Sequence, residues 1–288
     1  MQASWLHLSL ETGSAKIDAV ANFLVEQGAP GVVLKRRGLE AYFPGSRNHA
    51  ALKRRVSVFL RGVAKIGRKG ARSRVKWRVV VGENWHDSWR RFIKPRRVGK
   101  SFWVTPPWLT PPRFRSRRII TIEPGLAFGT GTHATTRGCM EFIEWAADAL
   151  GGRKFIALDV GTGAGILAIA MVKLGAQQVW AIDKDAVALQ VARENLRAND
   201  AWKRVHLSGA EVGALRRSFP VVVANLTGET IVELAGTLEK RVAAKGFLIL
   251  SGILSQQADR VIRRFHKQFR VVRQKRSREW VTLLLQRK

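Results

Sequence analysis

Carboxylates are scarce in this chain: 21 Asp and Glu stand against 51 Lys and Arg over 288 residues, a formal charge of +30. Cysteine is scarcer still. A single one, Cys139, excludes a disulfide within the chain and any cysteine-built zinc site, which suits a reducing cytosol. No apolar run approaches the ~18 residues that a membrane-crossing helix needs. The start, MQASWLHLSLETG, has neither a basic n-region nor a long apolar stretch, so no signal peptide is expected. What remains is a chain with 46% hydrophobic residues, ample for one large core or two unequal ones.

The positive excess is unevenly spread. Residues 1–82 carry 16 basic and 4 acidic side chains, 83–118 carry 10 and 2, and 260–288 carry 11 and 1. Residues 119–259 carry 14 of each and are neutral. A neutral centre with cationic flanks favours polyanions such as RNA. A basic proteome or a solubility adaptation gives the same count, and composition alone leaves both open.

The neutral centre contains the most informative stretch, Lys154 to Asp183. Phe155 to Val160 is an apolar run of strand length, followed by Gly161-Thr162-Gly163-Ala164-Gly165. Ile166 to Gly175 reads as an apolar helix closed by a glycine, and Gln178 to Ile182 as a second strand ending at Asp183. Glycines at such a turn admit a ligand where a Cβ would clash, and the helix start offers free N–H groups. Asp183 lies 22 residues beyond Gly161, placed to accept both hydroxyls of an adenosine ribose. A dinucleotide fingerprint would have a third glycine at Ile166. The Gly-x-Gly-x-Gly spacing is instead that of S-adenosylmethionine enzymes, whose cofactor has no pyrophosphate.

Residues 3–82 read as strand (Ser4–Leu10), helix (Ser14–Gln27), strand (Gly31–Leu34), strand (Leu39–Phe43), helix (His49–Lys65) and strand (Ser73–Val81). That order matches a ferredoxin-like split βαβ unit. Arg36, Arg37, Arg54, Arg55, Arg68, Lys69, Arg72 and Arg74 make its surface basic, and no catalytic constellation appears. It is expected to be a recognition module, with a stabilising appendage as the other reading. Glu83 to Phe92 reads as a helical connector, with Trp85 and Trp89 one turn apart, either wedged between domains or forming a binding face. Lys94 to Pro112 is proline-rich and extended. The boundaries are therefore 1–82, a linker 83–112, and a second domain 113–288.

Ile119 to Thr136 places a strand, a Pro-Gly turn and a flexible loop before a helix over about 134–150. Such a loop, with Phe128 and three hydroxyls, is suited to closing over a ligand. His133 is read as stabilising the loop; a general-base or metal-ligand role lacks a nearby partner. Beyond Asp183, a helix from Asp185 to Asn199 precedes a strand at Arg204–Leu207 and another at Pro220–Ala224. Then come a helix from Gly228 to Arg241, a strand at Phe247–Leu250 and a helix from Ser255 to Lys267. Two adjacent strands, Phe269–Lys275 and Glu279–Gln286, close the chain like the antiparallel hairpin of class I methyltransferase sheets.

Together these segments resemble the PrmA family, the methyltransferases that modify large-subunit ribosomal protein L11. The resemblance rests on EPGLAFGTGTHATT, LDVGTGAGILAIA, ANL at Ala224–Leu226, SGIL at Ser251–Leu254 and Glu279-Trp280. ENWHDSWRRFIKP and WVTPPW resemble that family's linker. The loop sequence is far more specific than the glycine turn. The resemblance implies an α/β, Rossmann-like class I methyltransferase sheet with a small N-terminal α+β ferredoxin-like domain that grips the ribosomal protein. It also implies S-adenosylmethionine as cofactor, held by Thr136, Gly161, Asp183 and Asn225, with Phe128 and Gly163 close by. Family loops usually begin Asp-Pro-Gly where Glu123 stands here, and the turn is commonly Gly-Cys-Gly-Ser-Gly where Thr162 and Ala164 stand.

The chemistry expected is an in-line displacement at a sulfonium carbon by a neutral amine, in which positioning dominates. A lysine of pKa ~10.4 is neutral about once in 2,500 at pH 7, a cost of roughly 4.6 kcal/mol, against about 1 kcal/mol for an α-amine. No dedicated general base stands out. Asn225 is the expected catalytic residue, accepting from the amine through its side-chain oxygen; capping the next helix is its other reading. Phe128 would shield the methyl group and favour its cationic character. An RNA methyltransferase on the same fold is the alternative, although the strand-end motif lacks the Asn-Pro-Pro-Tyr or Asp-Pro-Pro-Tyr cage. A non-catalytic RNA-binding protein is the third reading, and the intact Gly161, Gly163 and Asp183 speak against it. The partners expected are the ribosomal protein and, through the basic flanks, ribosomal RNA, with no membrane.

Asp183→Ala is expected to abolish S-adenosylmethionine binding and leave the fold intact. Calorimetric titration should give no heat; near-wild-type affinity would refute the ribose role.

Overall fold

The structure is a computed structural model and describes residues 4–11, 17–29, 32–35, 38–44, 49–65, 74–81, 94–109, 117–123 and 133–288. The connector at 83–92 with Trp85 and Trp89, the loop residues 124–132 with Phe128, and Arg36, Arg37, Arg68, Lys69 and Arg72 lie outside them. The described chain forms two compact units that divide at Lys94 and Pro95.

The first unit runs β1 (Ser4–Glu11), α1 (Ile17–Glu26), β2 (Val32–Lys35), β3 (Gly38–Pro44), α2 (His49–Lys65) and β4 (Arg74–Val81). Its sheet has the order β2-β3-β1-β4, with every pairing antiparallel. The period-two rule explains which face is dry: Leu6, Leu8 and Leu10 of β1 are all buried, and so are Leu39, Ala41 and Phe43 of β3. Each helix supplies an i, i+4 pair to the same core, Val20 with Leu24 and Leu52 with Val56. Arg54 and Arg55 of α2 and Arg74 of β4 stay exposed.

The second unit opens with β5 (Arg96–Val98), β6 (Phe102–Thr105) and β7 (Arg118–Thr121), a small sheet in that order. The stretch read as an extended connector thus carries two strands, and Val98, Phe102 and Val104 join the main core of this unit. Their turn is anchored by Glu144, 3% exposed, whose carboxylate accepts from the N–H groups of Lys100 at 3.0 Å and Ser101 at 2.7 Å.

After α3 (Ala134–Ala149) the chain winds through β8 (Phe155–Val160), α4 (Ile166–Lys173), β9 (Ala176–Ile182), α5 (Ala186–Ala198) and β10 (Val205–Ser208). It returns through β11 (Phe219–Asn225), α6 (Gly228–Glu233), α7 (Ala235–Arg241) and β12 (Val242–Leu254), then α8 (Ala258–Phe265), β13 (Phe269–Ser277) and β14 (Trp280–Arg287). The seven strands lie in the order β10-β9-β8-β11-β12-β14-β13. The first five are parallel, and β14 and β13 are added antiparallel, as the closing hairpin predicts.

Residues of α3, α4 and α5 pack in one core, and residues of α6, α7 and α8 pack in the other. Strands covered on both faces need no alternation, and Val221 to Ala224 is accordingly an unbroken apolar run at 0% exposure. The strand order reverses between β8 and β11. In an open α/β sheet the crevice outside the strand ends at that reversal is where ligands bind.

Several boundaries differ from the sequence expectation, three of them in the second half of the large sheet. The single helix over 228–241 is broken at Leu234, whose φ of −83° and ψ of −1° separate α6 from α7. Strand β12 starts at Val242 because Lys245, at φ 58°, turns the chain and lets it continue in the sheet. The last helix begins at Ala258, after a 3₁₀ turn at Ser255–Gln257.

Gly252 sits beside the reversal at φ 83°, and a Cβ there would lie 2.1 Å from the Leu226 carbonyl oxygen. Gly252→Ala should therefore cost more than about 1 kcal/mol, read as a lower midpoint in urea unfolding. An unchanged midpoint would mean that this backbone contact relaxes freely.

Candidate functional site

The turn after β8 is held by backbone bonds that need no side chain. The carbonyl of Ile182, the last residue of β9, accepts from Gly161 N at 2.9 Å and from Thr162 N at 3.0 Å. Gly161, Gly163 and Gly165 have φ of 72°, 54° and 82°, a left-handed run that only glycine enters without strain. Asp183, the residue after β9, accepts from Gly163 N at 2.8 Å through Oδ2 and from Asp185 N at 3.0 Å through Oδ1. A carboxylate has about four acceptor positions, so two remain for ligand hydroxyls. Asp185 then caps α5 by accepting from Val187 N at 2.8 Å.

Asn225 stands on the other side of the reversal. Ala224 pairs with Val160, so Asn225 and Gly161 end neighbouring strands, and the Leu226 side chain lies where a Gly161 Cβ would be, 2.5 Å from it. The Asn225 Oδ1 is enclosed and has no hydrogen-bond partner. Helix capping here falls to Thr227, whose hydroxyl accepts from Thr230 N at 3.3 Å. Asn225 is thereby free of the capping role.

Thr136, in the first turn of α3, is fully buried, and its Oγ1 also lacks a partner. One turn further on, Cys139 hydrogen-bonds Ser251, the residue paired with Asn225. Ser251 Oγ is 2.7 Å from Thr282 Oγ1, and Gly138 leaves room for Thr282, which a Cβ would meet at 2.3 Å. Burial pushes the Cys139 thiol up, so it stays protonated. The structure thus gathers Gly161, Gly163, Asp183 and Asn225 along the ends of β8, β9 and β11. Thr136 lies one turn before Cys139, which bonds Ser251 beside Asn225.

His133 is the N-cap of α3: its Nδ1 accepts from Thr135 N at 3.4 Å, lies 2.7 Å from Thr135 Oγ1, and its ring meets Trp280 edge-on at 5.2 Å. This caps a helix; the loop that His133 is expected to stabilise lies outside the described residues.

Two residues escaped the sequence reading. Asn195, 2% exposed on α5, donates to the Ala164 carbonyl at 2.9 Å and accepts from Glu123 N at 3.1 Å. Asn199, one turn on, accepts from Thr121 N at 2.8 Å and donates to Thr121 O at 2.6 Å. The pair ties the glycine turn to the end of β7. Its only trace in the sequence is an i, i+4 spacing of asparagines on a helix.

Asp159, at 0% exposure, underlies the turn. Its Oδ2 accepts from the Thr162 hydroxyl at 2.7 Å and from Ala168 N at 3.1 Å, while Oδ1 has no partner. Burial pushes its carboxyl up to about 7; the Thr162 and Ala168 bonds oppose the rise, and the Asp183 charge adds to it. An unfolded chain releases this proton near its ordinary value of 3.8. Between that pH and about 7 the folded state holds the extra proton, so this group's contribution to stability falls as pH rises through the window and is flat above it. Asp159→Asn, which imitates the protonated acid, should decline less from pH 4 to pH 7 in urea unfolding than the wild type. Parallel curves for the two proteins would rule this proton out.

Comparison with known proteins places this geometry in a family. The family model described as ribosomal protein L11 methyltransferase (PrmA) matches residues 4–288. A protein of that description from Pelobacter propionicus is 34% identical over 305 residues, spanning 100% of this chain and 99% of that protein. One from Geobacter sulfurreducens is also 34% identical, over 301 residues, with 99% and 98% covered. A crystal structure described as ribosomal protein L11 methylase from Lactobacillus delbrueckii subsp. bulgaricus superposes with a TM-score of 0.62 at 29% identity. That superposition covers 68% of this chain and 100% of the other. With its whole described length matched and its glycine turn, Asp183 and Asn225 assembled at the sheet reversal, the chain belongs to the ribosomal protein L11 methyltransferase family.

Proposed function

We propose that this protein transfers methyl groups from S-adenosylmethionine to amines of ribosomal protein L11: lysine side chains, and the α-amine on energetic grounds. The observation that carries the reading is the enclosed, unpartnered Asn225 Oδ1 at the end of β11, beside the Gly161 turn. A buried acceptor without a donor costs about 1–3 kcal/mol, a cost recovered when an amine N–H reaches it.

The residues present fit the cofactor. The left-handed glycines keep the turn bare, the Asp183 carboxylate retains acceptor positions for the ribose hydroxyls, and Thr136 Oγ1 offers a second unpartnered group. When bound, the cofactor supplies an electrophilic sulfonium methyl. Asn225 Oδ1 accepts from the amine and aims its lone pair; a dry pocket disfavours the ammonium form and brings a lysine toward neutrality at physiological pH. Phe128, in the loop, is read as the shield over the methyl group.

The N-terminal unit, with its β-α-β-β-α-β order, is read as a ferredoxin-like recognition module over residues 1–82, the linker as 83–112, and the catalytic domain as 113–288. A cationic enzyme and a basic RNA-binding substrate repel each other in isolation, so we place their meeting near ribosomal RNA, in the cytoplasm.

Purified enzyme, labelled S-adenosylmethionine and ribosomal subunits should yield label that migrates with protein; label in RNA would overturn the assignment. Asn225→Ala should lower kcat on L11 tenfold or more, the equivalent of about 1.4 kcal/mol; an unchanged kcat would refute the amine-orienting role.

A further inference from the structure

The far edge of the large sheet is the most cationic part of this unit. Residues 260–288 hold 11 Lys and Arg against Glu279 alone, while the preceding 141 residues are neutral. The structure concentrates these side chains on two elements. On α8, Ala258, Val261 and Phe265 are buried, and Arg260, Arg263 and Arg264 occupy the opposite, exposed face at i, i+3 and i+4. Strand β13 is the last in the sheet, and Arg270, Arg273 and Arg276 along it are exposed.

Several of these charges have partners within the chain: Arg287 donates to the Glu239 and Val242 carbonyls, and Lys288 to the His266 carbonyl. Glu141 takes Lys275, and Glu239 takes Arg264 at 2.9 Å. Arg273 lies over the Trp145 ring and Arg270 reaches Gln286 at 2.6 Å. Arg260, Arg263, Arg270, Arg273 and Arg276 have no carboxylate partner among the described residues.

Protecting an edge strand from pairing takes a charge or two, so that need does not account for this array. Eight of the eleven are arginine, the side chain whose fork matches phosphate oxygens. The bulge at Val271/Arg273 sets Arg270 and Arg273 on the sheet face that carries α3 and Arg276 on the face that carries α8. The charges thus flank both sides of an edge about 30 Å long, a length suited to a continuous polyanion. A membrane surface fits poorly, because the one large apolar side chain exposed on this rim is Val271.

We propose that the rim made by β13 and α8 docks the phosphate backbone of RNA. The rim lies four strands from β8, roughly 19 Å at ~4.8 Å per strand, so the methyl-transfer site stays open while RNA is held. That the RNA is ribosomal rests on the functional reading above; the phosphate contact itself does not.

The test is fluorescence anisotropy of the full-length protein with a labelled ribosomal RNA hairpin across a salt series. The triple variant Arg263→Gln, Arg270→Gln, Arg276→Gln should bind tenfold or more weakly at physiological salt. Its slope of log affinity against log salt should be shallower by about 2–3, at ~0.7–0.9 for each phosphate no longer neutralised. A control triple on α2, Arg54→Gln, Arg55→Gln, Arg61→Gln, should change both less. Methylation of free L11 by the rim variant should match wild type, so loss of RNA binding and loss of activity are read separately. A wild-type slope in the rim variant, an equal loss in the α2 control, or phosphatidylserine vesicles binding the rim as tightly as RNA would each overturn the proposal.

Discussion

One carbonyl oxygen organises the site. The Ile182 oxygen receives the N–H groups of both Gly161 and Thr162, and the next residue, Asp183, receives Gly163. Three consecutive backbone donors of the turn are thus fixed to the tip of the adjacent strand. The turn can follow this path only because Gly161, Gly163 and Gly165 adopt left-handed φ values. Side chains at those positions would strain the backbone, and at Gly161 would strike Leu226 as well. Since Leu226 follows Asn225, the glycine turn and the end of β11 are packed against one another and set each other's position.

Beneath this layer is a polar understructure that the sheet could not do without. Asp159 holds the start of α4 through Ala168 N and the turn through Thr162; Asn195 and Asn199 hold the outer side through Ala164 and Thr121. Buried polar groups are usually satisfied, and these mostly are. The oxygens of Asn225 and Thr136 are among the buried polar atoms left without a partner. Preorganised acceptors of this kind assist a reaction limited by orientation and by the neutrality of its nucleophile.

Charge is organised separately from chemistry. The sheet centre that holds the glycine turn and Asn225 is neutral, whereas the first unit and the β13–α8 edge are cationic. Cationic surfaces of this kind attract polyanions.

The sequence alone determined the βαβ unit, since Phe155–Val160, the three glycines and Asp183 obey local rules: an apolar run buries, a glycine turns, a strand ends in an acid. It also determined the alternation of strands and helices from β8 onward and the antiparallel hairpin at the end, but not β5 and β6. Boundaries such as the break at Leu234 and the early start of β12 were settled by packing, because Lys245 at a positive φ reads as a turn until a neighbouring strand is there to pair with. The roles of Glu144, Asn195 and Asn199 were likewise decided by the tertiary structure, since a buried polar side chain is indistinguishable from a surface one until its distant partners are known. Asn225 shows the limit most clearly. Its residue type and place were legible as strand end or helix cap, and the tertiary structure gave the cap to Thr227 and left the Asn225 oxygen without a partner.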